Sequence, residues 1–364
     1  RKLIIGHSAS VSLCTSPIFR VAWENPEDSA HLLVTGAGFE IQSRSIGLPS
    51  TRELLLAMGH PFDPSPSTTP TNQGALRVVK EAGYKLPRLD ARDFPDDRFD
   101  PVAAKGNLDE YWNKLLEIEV LDRITRESYP GYLDKVKASE REYELREAFR
   151  RSVLRYDWGY LNQSLDAARL PVVAWLTTNY TRFADRAIDL IKNEENLQDW
   201  RTRPQAFLPW RVISTANEAI LLGREKLHSQ DQRHRYLFKL HGDVGHLETM
   251  AIAGHDKEYY SPLSFPVDNV HHIYSAAETC LKIVLQSRRP KGVYWHIVGH
   301  ALADTMLLKL IGNASQVVEN RQFIVVNPDP EVPERTIESS LKAIPQVEKM
   351  NAREYMARLK VALC

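Results

Sequence analysis

The feature that most limits what this chain can fold into is a repeated pattern, a brief apolar run that stops at a small or polar loop. It occurs at Val34-Thr35-Gly36-Ala37-Gly38-Phe39, at Leu176-Thr177-Thr178-Asn179-Tyr180 and at Lys239-Leu240-His241-Gly242-Asp243. Each island reads as the end of a buried strand, and open α/β sheets gather their ligand-binding residues at such ends. A lone Gly-Ala-Gly carries little information. Followed by an Asn loop and a His loop, it points to a dinucleotide site with its own chemistry.

The rest of the chain supports that class. Hydrophobic content of 43% and charged content of 26% over 364 residues are those of a globular protein with ample core. The apolar runs fall short of a membrane span, so no membrane segment is expected. The 47 basic and 47 acidic residues cancel, which gives no overall field to attract nucleic acid. Cys14, Cys280 and Cys364 lack paired spacing and form neither a four-thiolate zinc site nor a disulfide framework, so a reducing, cytoplasmic setting is expected. The chain opens on Arg1 with no charged-then-apolar leader, as a trimmed start would.

Strands are expected at 2–5 and 31–35, and a helix ahead of Leu54-Leu55-Leu56, where Ser50 and Glu53 have capping-box spacing. Residues 61–75, rich in Pro, Ser and Thr, read as irregular loop. From about 105 to 165 the texture is charged helix, with Leu108, Tyr111, Leu115 and Ile118 on one stripe and Pro130-Gly131 as a break. Strand and helix signals then alternate. Strands fall at 172–176, 236–240, 293–298 and 323–326. Helices carry Phe183, Ala187, Leu190 and Ile191, then 272–285, then Leu307, Leu310 and Ile311. The expectation is one α/β unit from 1–90 and 166–345, its mostly parallel sheet flanked by helices, with a helical insertion at 91–165 and a C-terminal helix at 346–364.

Gly36, Ala37 and Gly38 let the backbone pass close to a pyrophosphate and can aim amide N–H groups at it, although any strand-to-helix turn can hold such glycines. Glu40 would repel a phosphate if it pointed inward and is expected to face away. Asn179 offers donors and an acceptor to ribose hydroxyls or an attacking water; the plainer role is an N-cap or turn. His241 can take a proton near neutral pH, or be structural. Gly299 in Ile297-Val298-Gly299-His300 would let an adenosine approach, and Asp304 or Asn327 could bond its ribose, with helix cap and turn as the alternatives.

In order, Gly36-Ala37-Gly38-Phe39 with Gly47-Leu48-Pro49, Thr177-Thr178-Asn179-Tyr180, Lys239-Leu240-His241-Gly242, Gly299 to Asp304 and Val326-Asn327-Pro328 resemble the sirtuin superfamily. The resemblance is to its bacterial sirtuin-like branch that hydrolyses NAD in antiphage defence, and it spans residues 34–328. It implies a Rossmann-like fold with NAD, the substrate, extended across the sheet edge. Gly36, Ala37, Gly38, Phe39, Pro49, Thr178, Tyr180, Gly299, Asp304 and Asn327 would line that site. Asn179 would fix the nicotinamide ribose and the incoming water, and His241 would activate a hydroxyl. Cleaving the nicotinamide–ribose bond builds positive charge on the ribose, so orientation and electrostatic support matter more than a strong nucleophile. Products would be nicotinamide and ADP-ribose, or its cyclic form. The zinc module of the superfamily's protein deacylases has no counterpart here, which makes water the acceptor and leaves no metal in the scheme. Similar defence proteins form homo-oligomers that wait on a sensor such as a HerA-type ATPase, a short Argonaute, a large nucleotide-switching protein or a fused module.

Four positions depart from the pattern. Glu40 stands where Ser is common, Thr181 where Asp often follows the Asn-Tyr pair, and His300-Ala301 where Tyr-Ser is common. They leave a catalytically degenerate nucleotide-binding or oligomerisation scaffold as the alternative. His241, His246 and His255 beside Asp243 and Asp256 also admit a metal hydrolase, although their spacing fits no common ligand motif. His271-His272 reads as solvated or capping. Trp112, Trp158, Trp175, Trp200, Trp210 and Trp295 read as packing residues, and 139–151 as a solvated helix side or an oligomer contact.

Overall fold

Short apolar runs buried on both sides have one stable arrangement, a parallel sheet with helices on each face, and the chain adopts it. The computed structural model describes residues 29–40, 150, 161–196, 208–225, 234–246, 249, 267–302 and 304–363. Its strands are β1 (Ser29–Thr35), β2 (Ala174–Thr177), β3 (Trp210–Ile213), β4 (Arg235–Lys239), β5 (Gly292–Val298), β6 (Arg321–Val326) and β7 (Gln346–Glu348). All seven pair in parallel, in the order β3-β4-β2-β1-β5-β6-β7.

The helices are α1 (Ala37–Glu40), α2 (Asn162–Arg169), α3 (Phe183–Asn196), α4 (Ala216–Arg224), α5 (Val267–Arg288), α6 (Thr305–Ser315), α7 (Glu331–Thr336) and α8 (Ala352–Leu363). A π-helical turn, Ile337–Leu341, follows α7. Buried side chains of α4, α5 and α6 pack on one face of the sheet with Leu32 and Val34. Those of α1, α2, α3 and α8 pack on the other with Leu33 and Trp175. The result is a Rossmann-like α/β fold. Its continuous apolar strands follow from burial on both faces: Leu32, Leu33 and Val34 are each wholly buried.

Strand order fixes where a ligand crevice can form. From β1 the chain builds β2, β3 and β4 on one side, then crosses to add β5, β6 and β7 on the other. The loops leaving β1 and β5 therefore diverge at the sheet's carboxyl edge, the topological switch point.

Several expectations need correction. β3 and β7 were not foreseen. Both are short edge strands: β3 is buried only at its ends, Trp210 and Ile213, and β7 is half-buried throughout, so neither makes the apolar run that marks an inner strand. The expected C-terminal helix over 346–364 opens instead with β7, and the helix starts at Ala352. The boundary at 165 falls inside α2, which packs whole against α3 and α8. On α3, Phe183, Ala187 and Ile191 are buried as expected, but Leu190 is exposed and Ile188 takes its place in the core. A capping box forms at Thr215 and Glu218, where the Thr215 hydroxyl accepts from the Glu218 amide and the Glu218 carboxylate accepts from Thr215 N–H. Trp175, Trp210 and Trp295 are core residues.

The strand at 2–5, the Ser50–Glu53 cap, the loop at 61–75, Pro49, Trp112, Trp158, Trp200, Cys14, Cys364 and the run 139–149 lie outside the described residues, as does the insertion except for Arg150 and 161–165. No helix among the described residues is long and apolar enough to cross a membrane.

Candidate functional site

The loops after β1 and β5 meet backbone to backbone. Gly38 N–H donates to Gly299 O at 2.9 Å, Phe39 N–H to Gly36 O at 2.9 Å, and Gly36 N–H to Val298 O at a longer 3.4 Å. A Cβ on Gly36 would stand 2.7 Å from His300 Cδ2, and one on Gly38 2.9 Å from Gly299 O. Gly299 has φ +61 and a Cβ there would lie 2.2 Å from Phe39 N. The space these glycines leave is thus occupied by the neighbouring loop. The sequence reading gave it to a pyrophosphate and an adenosine, but the Gly36 and Gly38 amides it meant for phosphate are already engaged within the protein. Phe39 is not turned to a ligand either. Its ring is buried edge-on against Trp175, 5.8 Å between centroids.

Asn179 links β2 to this loop pair. Its Nδ2 donates to Gly36 O at 2.9 Å, and its backbone N–H to Thr177 Oγ1 at 3.2 Å. With one donor fixed, the carboxamide presents Oδ1 as an acceptor, a narrower repertoire than the free side chain has. Thr178 N–H donates to Thr35 O, joining the β2 loop to the end of β1. Thr181 Oγ1 donates to Glu40 Oε1 at 2.7 Å. Glu40 is therefore turned to the β2 loop.

His241 follows β4, the neighbour of β2, and lies beside Tyr180, with ring centroids 6.1 Å apart. Val244 N–H donates to Tyr180 O at 3.0 Å, so the two loops are joined through the backbone as well. His241 Nε2 is 2.8 Å from Asp304 Oδ2, and the hydroxyl of Tyr274 on α5 donates to the same oxygen. Burial alone would raise the Asp304 pKa. The His241 hydrogen bond and charge, the Tyr274 hydroxyl and the Leu307 amide outweigh it and hold the carboxyl well below the usual carboxylate range. Asp304 is also the N-cap of α6, accepting from Met306 and Leu307 N–H, which was the alternative role weighed for it.

His300 sits across from this group in the β5 loop. Burial pushes its imidazole down to about 4 against the opposing charge of Asp304, and Nδ1 accepts from Leu302 N–H at 2.8 Å. It is a neutral packing histidine.

Sequence reasoning missed the group that stiffens the His loop. Lys239 is fully buried and ion-paired to Asp185 Oδ2 at 2.8 Å and to Asp243, and it donates to Thr181 O at 2.8 Å. Burial works to lower its pKa, but the two carboxylates prevail and keep the ammonium charged. A charged residue ending an otherwise apolar strand was the available signal, since a buried lysine needs partners. Arg150 Nε donates to Val244 O at 2.6 Å, so the stretch read as an insertion reaches the His loop. Tyr274 was missed because it is an ordinary buried position on a helix.

The remaining expected residues stand apart. Asn327 Oδ1 accepts from Asp329 N–H, a local turn at the end of β6, two strands from β1. His246 is exposed, as are His271 and His272, and His255 and Asp256 lie outside the described residues. Among the described residues no three His, Cys, Asp or Glu side chains are grouped to hold a metal ion. No protein-family model and no curated protein matches the sequence.

Proposed function

We propose that the chain is an NAD hydrolase that cleaves the nicotinamide–ribose bond to give nicotinamide and ADP-ribose, as effector of a bacterial antiphage defence assembly. The observation that carries it is the pairing of an anchored amide, Asn179, and a carboxylate-held imidazole, His241, on adjacent loops at the carboxyl edge of a Rossmann-like sheet. It joins the resemblance in the loop motifs to a workable chemistry. Asn179 Oδ1 accepts from a ribose hydroxyl or from the attacking water. A C–O bond forms at the anomeric carbon as the C–N bond breaks, its electron pair neutralises the pyridinium, and His241 takes the water's proton. The developing oxocarbenium charge is favoured by the Asp304 carboxylate behind His241.

The test is nicotinamide release measured chromatographically, with the protein alone and beside the product of the neighbouring gene. His241→Ala is expected to lower release by about 10²- to 10⁴-fold, and Asn179→Ala to abolish it with the fold intact. Equal release by wild type and both variants removes the assignment. The homo-oligomer, the sensor partner (a HerA-type ATPase, a short Argonaute or a fused module) and the cytoplasmic setting belong to the same proposal. They rest on the sequence resemblance and are tested by light scattering and co-purification.

One observation favours the inert scaffold as a second reading, the closure of the switch-point crevice by the Gly38–Gly299 contact. NAD recovered intact after long incubation with the activating partner would select it.

A further inference from the structure

Three elements distant in sequence converge behind His241. Asp304 comes from the β5–α6 loop, Tyr274 from the middle of α5, and Tyr180 from the β2 loop. The Asp304 carboxylate is divided between two tasks. Oδ1 accepts from the Met306 and Leu307 amides at 2.8 and 3.1 Å, while Oδ2 faces His241 and Tyr274. A carboxylate pinned at one oxygen by a helix end cannot swing, so its other oxygen is a fixed reference for the imidazole. The loop that delivers it is itself constrained. Leu302, buried and two residues before Asp304, has φ 56, a left-handed conformation that a non-glycine residue adopts at a cost of about 1 kcal/mol or more.

The proton positions follow from charge. Asp304 is ionised and can only accept, Tyr274 has one proton and gives it to Oδ2, and so Nε2 of His241 must be the donor. The neutral ring then carries its lone pair on Nδ1. We propose that Asp304 and Tyr274 form a positioning pair that sets the orientation and tautomer of His241. The inference rests on the reading of His241 as the base of the proposed hydrolase. Asp304 holds the Nε2–H, and Tyr274, bonded to the same oxygen, keeps that oxygen in place. Among the described residues, the side chains that face His241 include Asp304, Tyr274 and Tyr180.

The experiment compares the full chain with Asp304→Asn and Tyr274→Phe by two readouts. One is the tautomer of His241 from ring-nitrogen NMR. The other is the rate of nicotinamide release with its activating partner. Wild type is expected to show the Nε2–H tautomer. Asp304→Asn keeps a capping oxygen for α6, loses that bias, and lowers kcat by about 10²-fold. Tyr274→Phe is expected to weaken the bias, with a smaller fall in kcat. A merely structural pair would leave the tautomer of His241 unmoved. If both variants keep the wild-type tautomer, the positioning pair is overturned whatever the activity. If the bias is lost in the variants while wild type releases no nicotinamide, the pair stands and the hydrolase reading fails.

Discussion

The two halves of the candidate site are built on different principles. Between β1 and β5, backbone lies on backbone: Gly36, Gly38 and Gly299 leave no room for a side chain, and the contact is made by amides and carbonyls. The β2 and β4 loops are held largely by side chains: Asn179 and Thr181 tie the β2 loop to Gly36 O and Glu40, and Lys239 ties the end of β4 to Asp185, Asp243 and Thr181 O. Glycines in a strand-end loop report that something approaches closely, and here the thing that approaches is another loop. Asn and His report less about packing and more about chemistry, because a polar side chain at a buried edge must be given a partner.

That contrast is open to test, beginning with the largest effect. Lys239→Met removes the only cation between Asp185 and Asp243 in the contacts described and leaves two poorly solvated carboxylates, so stability should fall by about 3 to 5 kcal/mol in urea unfolding. A loss below about 1 kcal/mol would mean that the β2–β4 half does not depend on this ion cluster. Gly299→Ala comes next. It forces a left-handed backbone on alanine and drives a Cβ into Phe39 N, at an expected cost of about 3 kcal/mol. Wild-type stability in that variant would show that the crevice opens easily, which would favour ligand entry there.

An acid titration probes the β5 side more gently. His300, at about 4, and His296, well below its ordinary value because burial in contact with His31 disfavours its charge, both have depressed folded-state pKa values. Each binds its proton more tightly when unfolded, so their stabilising effect is complete above the unfolded value of about 6.5 and declines as pH falls from there toward the folded value. Between pH ~7 and ~5 the loss at His300 should be about 2 kcal/mol. His300→Asn, which keeps an acceptor for Leu302 N–H, should remove its share of that slope and leave the share of His296. An unchanged slope would show that His300 protonates without strain. The smallest effect has the opposite sign. Gly223, on the exposed side of α4, has nothing within 4 Å of its would-be Cβ, so Gly223→Ala should stabilise by about 0.5 to 1 kcal/mol, as a control for Gly299→Ala.

The inner sheet was legible because burial on both faces leaves a mark that survives in one dimension. Runs such as Leu32-Leu33-Val34 and Trp295-His296-Ile297-Val298 are near-continuous apolar stretches ending at loop residues. The edge strands β3 and β7 were not, because residues that face water on one side carry no such run. Asn179 and His241 were legible as residues closing strands, and the structure puts β2 and β4 side by side. Tyr274 was invisible, as its partner Asp304 is thirty residues away and on another element.

By itself the sequence determined the alternation of strand and helix, the parallel sense of the sheet and which loops end its strands, because these depend on local periodicity and on how much apolar surface each segment must bury. Only the tertiary structure decided that the glycine loops pack against each other, that Glu40 pairs with Thr181, and that Asp304 and Tyr274 stand behind His241. Those are contacts between segments whose meeting is set by strand order and helix packing, and no pattern within a single segment encodes which distant atom will fill the space beside it.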